Sequence, residues 1–270
     1  EKGFKTVYYF PPSAWCKKRE RAEKIASVSS YLIPVFDSQV RTFEEFGIPF
    51  RHFGHPLLDI ISEKTRDLPD PEFPAGCKIA AFLPGSRPQE INSLMKPYIG
   101  AMTIAHEKRK DIFFVIPASS PDMRKLIERH IPASFKAPYR ITDGGSYMAL
   151  KYADAAITAS GTATLEASVL GVPMAVVYKL AWPDWILGKM LMMKVPMFAL
   201  PNLVIQRKAI PEIFQTEVTA ERLADELLKI IDDSPERAER IQVLDEVRTA
   251  LGREGAVQRA AEYINEILSE

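Results

Sequence analysis

The sequence predicts an α/β chain of doubly wound, Rossmann-like design, its parallel sheets covered on both faces. Three observations carry this. Short continuous apolar runs alternate with amphipathic segments of helical period, the pattern of strands buried on both sides. A stretch rich in proline and charge, SEKTRDLPDPEFPAG at residues 62–76, divides that alternation into two parts. With 270 residues, 47 % hydrophobic and 26 % charged, the chain can bury two cores, and its composition excludes disordered, collagen-like and disulfide-scaffold classes.

Taken in order, residues 6–10 are a short aromatic and β-branched run that reads as a strand, ended by Pro11 and Pro12. A basic helix follows. Residues 29–35 read as a second strand, 39–46 as a helix closed by Gly47, and 49–53 as a third strand running into His55 and Pro56. Beyond the linker come strand 78–83, helix 88–108, strand 112–117, helix 121–130 and strand 139–142. Helix 146–152, strand 155–158, helix 162–170 and strand 173–178 continue the alternation. Acidic amphipathic helices at 219–231, 235–250 and 254–268 close the chain.

Charge and cysteine content narrow the function classes. The 35 basic and 35 acidic side chains cancel, so a bulk polyanion binder, nucleic acid included, is not expected. The balance is uneven, however: residues 1–24 carry seven cations against three anions, and residues 179–208 carry five against Asp184 alone. Such blocks are either solvated faces or attractions for phosphate and lipid headgroups. Cys16 and Cys77 lie in no metal or CxxC spacing, which fits a reducing compartment. No uncharged apolar run reaches the roughly 18 residues of a membrane span, and the opening EKGFKTVYYF lacks the order of a signal peptide. The start at Glu1 suggests a fragment or a processed chain. His52 and His55 are spaced HxxH, but with no third ligand nearby they read as loop packing; His106 and His130 read as solvated helix residues.

In doubly wound sheets ligands bind beyond the carboxyl ends of the strands, which points to the strand-to-helix turns. Two are suggestive. One reads Pro84, Gly85, Ser86, Arg87; the other reads Ser160, Gly161, Thr162 and runs on to Glu166. Each sets small residues and backbone N–H groups at the start of a helix, which favours phosphate, and Arg87 adds a cation. The same residues also make ordinary helix caps. Neither turn is GxxxxGK[ST], and GxGxxG is absent from the first strand-helix turn, so neither a P-loop nor a dehydrogenase site is indicated. Glu166 either accepts hydrogen bonds from a ribose or interacts favourably with its helix dipole.

A set of motifs then resembles the lipid-A-disaccharide synthase family. They are Tyr8, Tyr9 and Trp15; Gly54, His55, Pro56, Leu57, Leu58, Asp59; Leu83 to Arg87 with Glu90 and Ile91; Thr142, Asp143, Gly144; Ala153 with Asp154; the SGTATLEA block from Ser160; Gly171 with Pro173; Leu200, Pro201, Asn202; and Glu212 with Gln215. The resemblance implies a GT-B fold, two Rossmann-like domains holding a nucleotide sugar, and the first of them incomplete here. The expected division is residues 1–61 for the acceptor side, 62–77 for the linker, 78–234 for the nucleotide-sugar domain and 235–270 for helices crossing back.

The implied activity is an inverting glycosyl transfer from UDP-2,3-diacylglucosamine to 2,3-diacylglucosamine 1-phosphate through a β-1,6 link, releasing UDP. No cofactor and no metal are expected, in keeping with the lack of a DxD motif. Arg87 and Asn202 are the expected catalytic residues. Gly85, Ser86, Thr142, Gly144, Ser146, Ser160, Gly161, Thr162, Glu166 and Gln215 are the expected substrate-binding residues. Residues 180–204 interleave apolar side chains with Lys189 and Lys194. They read either as a core helix or as a surface for acyl chains and an anionic membrane, with Trp182, Trp185, Met190, Met192 and Met193 as contacts. The expected partners are the two acylated sugars and the membrane; the expected place is the cytoplasmic face of the inner membrane; a homodimer is implied.

Two departures qualify the match. Nothing corresponds to the family's opening strand and Gly-rich loop or to the following loop with its general base, and PPSAWCKK stands where SPQVWAW is usual, so Ser13, Cys16 and Lys17 replace Gln, Ala and Trp. The chain is therefore expected to bind UDP more readily than to catalyse transfer. Another enzyme using UDP-N-acetylglucosamine, such as a cell-wall transferase or a 2-epimerase, and a non-catalytic binding remnant stay as alternatives.

Overall fold

In the computed structural model the described residues are 4–11, 19–69, 71–179 and 197–269. They fall into two units, Glu1–Glu63 with Val247–Glu270, and Lys64–Glu246.

The second unit is built on six parallel strands: β3 (Lys78–Leu83), β4 (Ile112–Pro117), β5 (Tyr139–Thr142), β6 (Ala155–Ala159), β7 (Met174–Tyr178) and β8 (Glu212–Phe214). Their order, β5-β4-β3-β6-β7-β8, places the strand order's reversal between β3 and β6, where Ala80 pairs with Ala155 and Leu83 with Thr158. The period of two sorts each strand between two cores. On one face Ala80, Phe82, Phe114 and Ile116 meet Met95, Tyr98 and Met102 of α4 (Pro88–Lys108) and Leu223, Leu227 and Ile230 of α9 (Ala220–Ile230). On the other, Ala81, Leu83 and Val115 meet Leu150 of α6 (Ser146–Lys151), Ala167 of α7 (Ala163–Val169) and Leu244 of α10 (Pro235–Ala250). The remaining helices of this unit are α5 (Pro121–His130) and α8 (Leu200–Ile205). Arg240 of α10 is buried with its guanidinium on Glu226 at 2.7 Å and on the Met174 carbonyl at 2.9 Å, so its charge and donors are met internally.

The first unit carries a parallel pair, β1 (Val7–Tyr9) and β2 (Tyr31–Ile33), with α1 (Arg19–Val28), α2 (Asp37–Glu45), α3 (Leu57–Arg66) and α11 (Ala256–Ser269). Its small core is Ala22, Ile25, Leu32, Phe43 and Ile48. The GHPLLD motif has a structural place here. Gly54, at φ +99°, lets the chain pass the Leu251 carbonyl, where a Cβ would stand at 3.3 Å. His55 N–H donates to that carbonyl at 2.8 Å, and the Asp59 carboxylate accepts from Gly255 N–H and Val257 N–H, capping α11.

Several expectations need correction. Residues 49–53 are not a strand: Arg51 N–H donates to the Leu32 carbonyl at 3.0 Å, but Pro49 offers no donor and no ladder forms. The linker is shorter than expected, because α3 continues to Arg66 on the apolar spacing of Leu57, Leu58 and Ile61. The segment after α3 is fastened: Phe73 packs on Phe113 at 5.6 Å under the Arg140 guanidinium, and the Tyr152 hydroxyl donates to the Pro69 carbonyl at 3.1 Å. His106 is half-buried with a shielded Nδ1, and His130 bonds Asn92 at 2.8 Å, so neither is simply solvated. His55 is buried beside Phe10 and Phe36, accepts from Leu57 N–H at 3.1 Å, and is held neutral by burial, its pKa pushed down to about 4. No group of three metal ligands occurs among the described residues.

Candidate functional site

Beyond the carboxyl ends of β3, β4 and β6 lies a cavity of about 380 Å³, wholly within the second unit. The turn after β3 contributes Gly85, Ser86, Arg87 and Glu90; the end of β4 contributes Pro117 and Ser119; the turn after β5 contributes Gly145 and Ser146; the turn after β6 contributes residues 158–163 and Glu166. The sheet's reversal point generates this convergence, since crossovers leave in opposite directions on either side of it.

Each turn has a local cause. The buried Tyr98 of α4 donates its hydroxyl to the Leu83 carbonyl at 3.1 Å, holding the end of β3 on the helix it feeds. Pro88 starts α4 with φ preset, and Gly85 takes φ +96°, a left-handed conformation that suits glycine. At the second turn Gly161 takes φ +154°, and the Thr164 hydroxyl donates to its carbonyl at 2.7 Å, closing the first turn of α7. The turn after β5 is tied to β4 by Ala118 N–H on the Thr142 carbonyl at 2.8 Å and Gly145 N–H on the Ala118 carbonyl at 3.2 Å, which brings Ser146 to the cavity.

Glu166, one turn into α7, accepts from the Ser146 hydroxyl. Burial raises its pKa, and the Ser146 bond opposes part of that rise. The neighbouring Tyr147 is pushed up by its own burial and by the Glu166 charge. Across the cavity the Glu90 carboxylate accepts from Ser86 N–H at 3.0 Å, Arg87 N–H at 3.2 Å and the Arg87 Nη1 at 3.0 Å. The first turn thus does not offer those two N–H groups openly, as the sequence leads one to expect; a carboxylate of the chain covers them.

The structure therefore brings together Gly85, Ser86, Arg87, Ser146, Ser160, Gly161, Thr162 and Glu166. Thr142 and Gly144 stand on the same turn as Ser146 but outside the lining; the Thr142 hydroxyl is buried without a partner, and Gly144 faces open space at φ +85°. Asn202 is elsewhere. Fully buried, it donates to the Ile210 carbonyl at 2.9 Å and to Glu212 at 2.7 Å, and accepts from Ala209 N–H at 3.0 Å and Ile210 N–H at 2.8 Å. Both donors and the acceptor of its amide are engaged, so it is a structural clasp here and the expected direct role is corrected. Gln215, at φ +45°, follows β8 and is not part of the lining either. Trp182, Trp185, Met190, Met192 and Met193 lie outside the described residues.

Sequence reasoning missed Ser119 and Glu90 as lining residues. Ser119 follows a strand end and was legible by the rule that exposed the other turns. Glu90 was legible as the N3 acid of a capping box.

A model of the lipid-A-disaccharide synthetase family matches residues 1–268. A lipid-A-disaccharide synthase of Anaeromyxobacter dehalogenans is 33 % identical, the match covering 97 % of this chain and 69 % of the relative. Its namesakes in Pseudomonas fluorescens and Pseudomonas putida are 36 % and 35 % identical, covering 96 % and 99 % of this chain and 67 % and 70 % of theirs. Among solved structures, the UDP-GlcNAc 2-epimerase of Neisseria meningitidis bound to UDP-GlcNAc aligns with a TM-score of 0.58 at 14 % identity, over 92 % of this chain and 64 % of that one. The Methanocaldococcus jannaschii UDP-GlcNAc 2-epimerase in complex with UDP-GlcNAc and UDP gives 0.54 at 15 %, over 89 % and 62 %. These structural likenesses concern the fold, a GT-B-like α/β architecture of Rossmann-like units.

Proposed function

The chain belongs to the lipid-A-disaccharide synthase family, a family of glycosyltransferases, and from that membership we propose that its cavity takes the uridine diphosphate portion of UDP-2,3-diacylglucosamine for inverting transfer to 2,3-diacylglucosamine 1-phosphate. The chain spans 67–70 % of the length of the three relatives named above. One observation carries the reading: strand-to-helix turns of a single parallel sheet converge on one cavity, with Arg87 on one turn and Glu166 just beyond another. As the glycosidic bond breaks, negative charge grows on the diphosphate; Arg87 and the N–H groups of residues 161–163 are the donors for it, and the backbone donors, fixed beforehand, favour the transition state. Glu166 and Ser146 are suited to the ribose hydroxyls. The 142–146 turn is the place for the uracil. Asn202 acts indirectly, by clasping the segment between α8 and β8. Identity of 33–36 % to the transferases against 14–15 % to the epimerases favours transfer over the epimerase alternative.

The decisive experiment is calorimetric titration with UDP. Binding is expected, and Arg87→Ala should weaken it by about 10- to 100-fold, the usual worth of a hydrogen bond to a charged group. A silent titration at millimolar UDP would remove the reading. With the diphosphate charge met by Arg87 and backbone donors, we also propose that no metal or cofactor takes part; turnover lost in EDTA would contradict this.

Contact with an anionic cytoplasmic membrane face belongs to the same proposal and rests on the apolar stretch at 180–204, interleaved with Lys189 and Lys194. No helix among the described residues is long and apolar enough to cross a membrane. Trp185→Ser with Met192→Ser should reduce cosedimentation with anionic liposomes, and unchanged sedimentation would exclude that surface. The homodimer implied by the family resemblance predicts twice the chain mass in light scattering; a monomer would exclude it.

A further inference from the structure

We propose that Glu90 is a positioning residue of this cavity, a built-in rival of the ligand's phosphate that holds the Arg87 guanidinium and yields it to a diphosphate; this rests on the diphosphate reading above. Both oxygens of the carboxylate are used. Oε2 accepts from Ser86 N–H and Arg87 N–H, and Oε1 from Arg87 Nη1 at 3.0 Å. The same carboxylate occupies the space over Gly85, where a Cβ would stand 2.2 Å from Oε2. A ligand therefore meets Glu90 before it meets the backbone of the first turn.

The two halves of this arrangement differ in how firmly they are held. The backbone bonds belong to the cap of a helix of 21 residues, and they keep Glu90 in place. The Arg87 side chain is 78 % exposed, and an ion pair so exposed holds its partner by less than about a factor of five. Arg87 can thus swing to a phosphate while Glu90 stays.

The charge count points the same way. Among the described residues, the charged side chains lining the cavity are Arg87, Glu90 and Glu166. One cation against two carboxylates is a poor complement for a diphosphate, unless weak holding is what the site provides. A nearby carboxylate weakens an anion's binding and speeds its departure, which suits release of a diphosphate product.

The test compares UDP binding and melting of the unaltered chain with Glu90→Gln, Glu90→Ala and Glu90→Gln in an Arg87→Ala background. Glu90→Gln keeps a carbonyl acceptor for the two N–H groups and removes the charge. It should bind UDP about three- to fivefold tighter, with a Tm within about 2 °C of the unaltered chain. In the Arg87→Ala background that gain should shrink to less than about twofold, since no guanidinium is left to release. Glu90→Ala, which loses the cap, should lower Tm by about 2–4 °C. If the unaltered chain binds UDP and Glu90→Gln binds it equally or more weakly, this inference is overturned and the cavity reading stands. No UDP binding by the unaltered chain overturns both.

Discussion

Glu166 pairs an acid's charge with burial, and its protonation links the site to pH. Its pKa is raised in the folded chain, chiefly by desolvation, so the folded state binds this proton more tightly than the unfolded one. Stability contributed by the protonated form is present in the ordinary glutamate range and is lost as pH rises through the raised value. Glu166→Gln should therefore raise Tm at neutral pH relative to the unaltered chain, with the difference vanishing near pH 4. Melting curves across roughly pH 4–8 check this; a Tm difference constant with pH would mean that the carboxyl does not titrate in that range. Asn202 teaches the opposite lesson about residue types. An amide in a motif reads as a ligand contact in sequence, yet here its hydrogen-bonding groups close on Ala209, Ile210 and Glu212.

At the level of elements, the close packing of α4 on α9 supports the first turn, because α4 carries Arg87 and Glu90 at its start. Gly100 lies at that contact, where a Cβ would stand 2.6 Å from the Ala220 Cβ. Alanine there gains about 1 kcal/mol of helix propensity but overpacks a rigid contact at about 1–3 kcal/mol, so the clash decides the sign. Gly100→Ala should lower Tm by several degrees, on the order of 2–4 °C per kcal/mol, and Ala220→Gly should restore most of the loss. A rise in Tm on Gly100→Ala alone would mean that the two helices part freely. The strands and helices of this unit were legible because their periods are strong: 78–83, 112–117, 121–130 and 139–142 agree with the structure at both ends. Residues 49–53 misled because a short run with two phenylalanines says nothing about whether a ladder partner is in reach.

For the whole molecule, the two units differ in how much core each owns. The larger has a six-stranded sheet with apolar clusters on both faces; among the described residues, the smaller has two three-residue strands and one apolar cluster built on Ala22, Ile25, Leu32, Phe43 and Ile48. Stability should be correspondingly uneven. Calorimetry is expected to show more than one transition, and hydrogen exchange should protect β3, β4 and β6 longest. The smaller unit should also be the acid-sensitive one. His55 has its pKa pushed down to about 4, so stability present above its ordinary value is lost as pH falls from about 6.5 toward 4, by about 3 kcal/mol in all. Exchange in residues 19–66 that is no faster at pH 5 than at pH 7, after correction for intrinsic rates, would contradict this.

By itself the sequence determined the parallel α/β design and the family, and it pointed to the two glycine-containing turns, because periodicity and motif spacing are properties of neighbours along the chain. Only the tertiary structure decided that Arg87 already has a carboxylate partner, that Asn202 is sealed into the fold, and that Ser146 meets Glu166. The Ser146–Glu166 contact depends on which strand ends the sheet order brings together, which no local pattern encodes; the Arg87–Glu90 and Asn202 bonds are near in sequence, but whether such side chains turn onto their own segment or outward is decided only once the surrounding turns are folded.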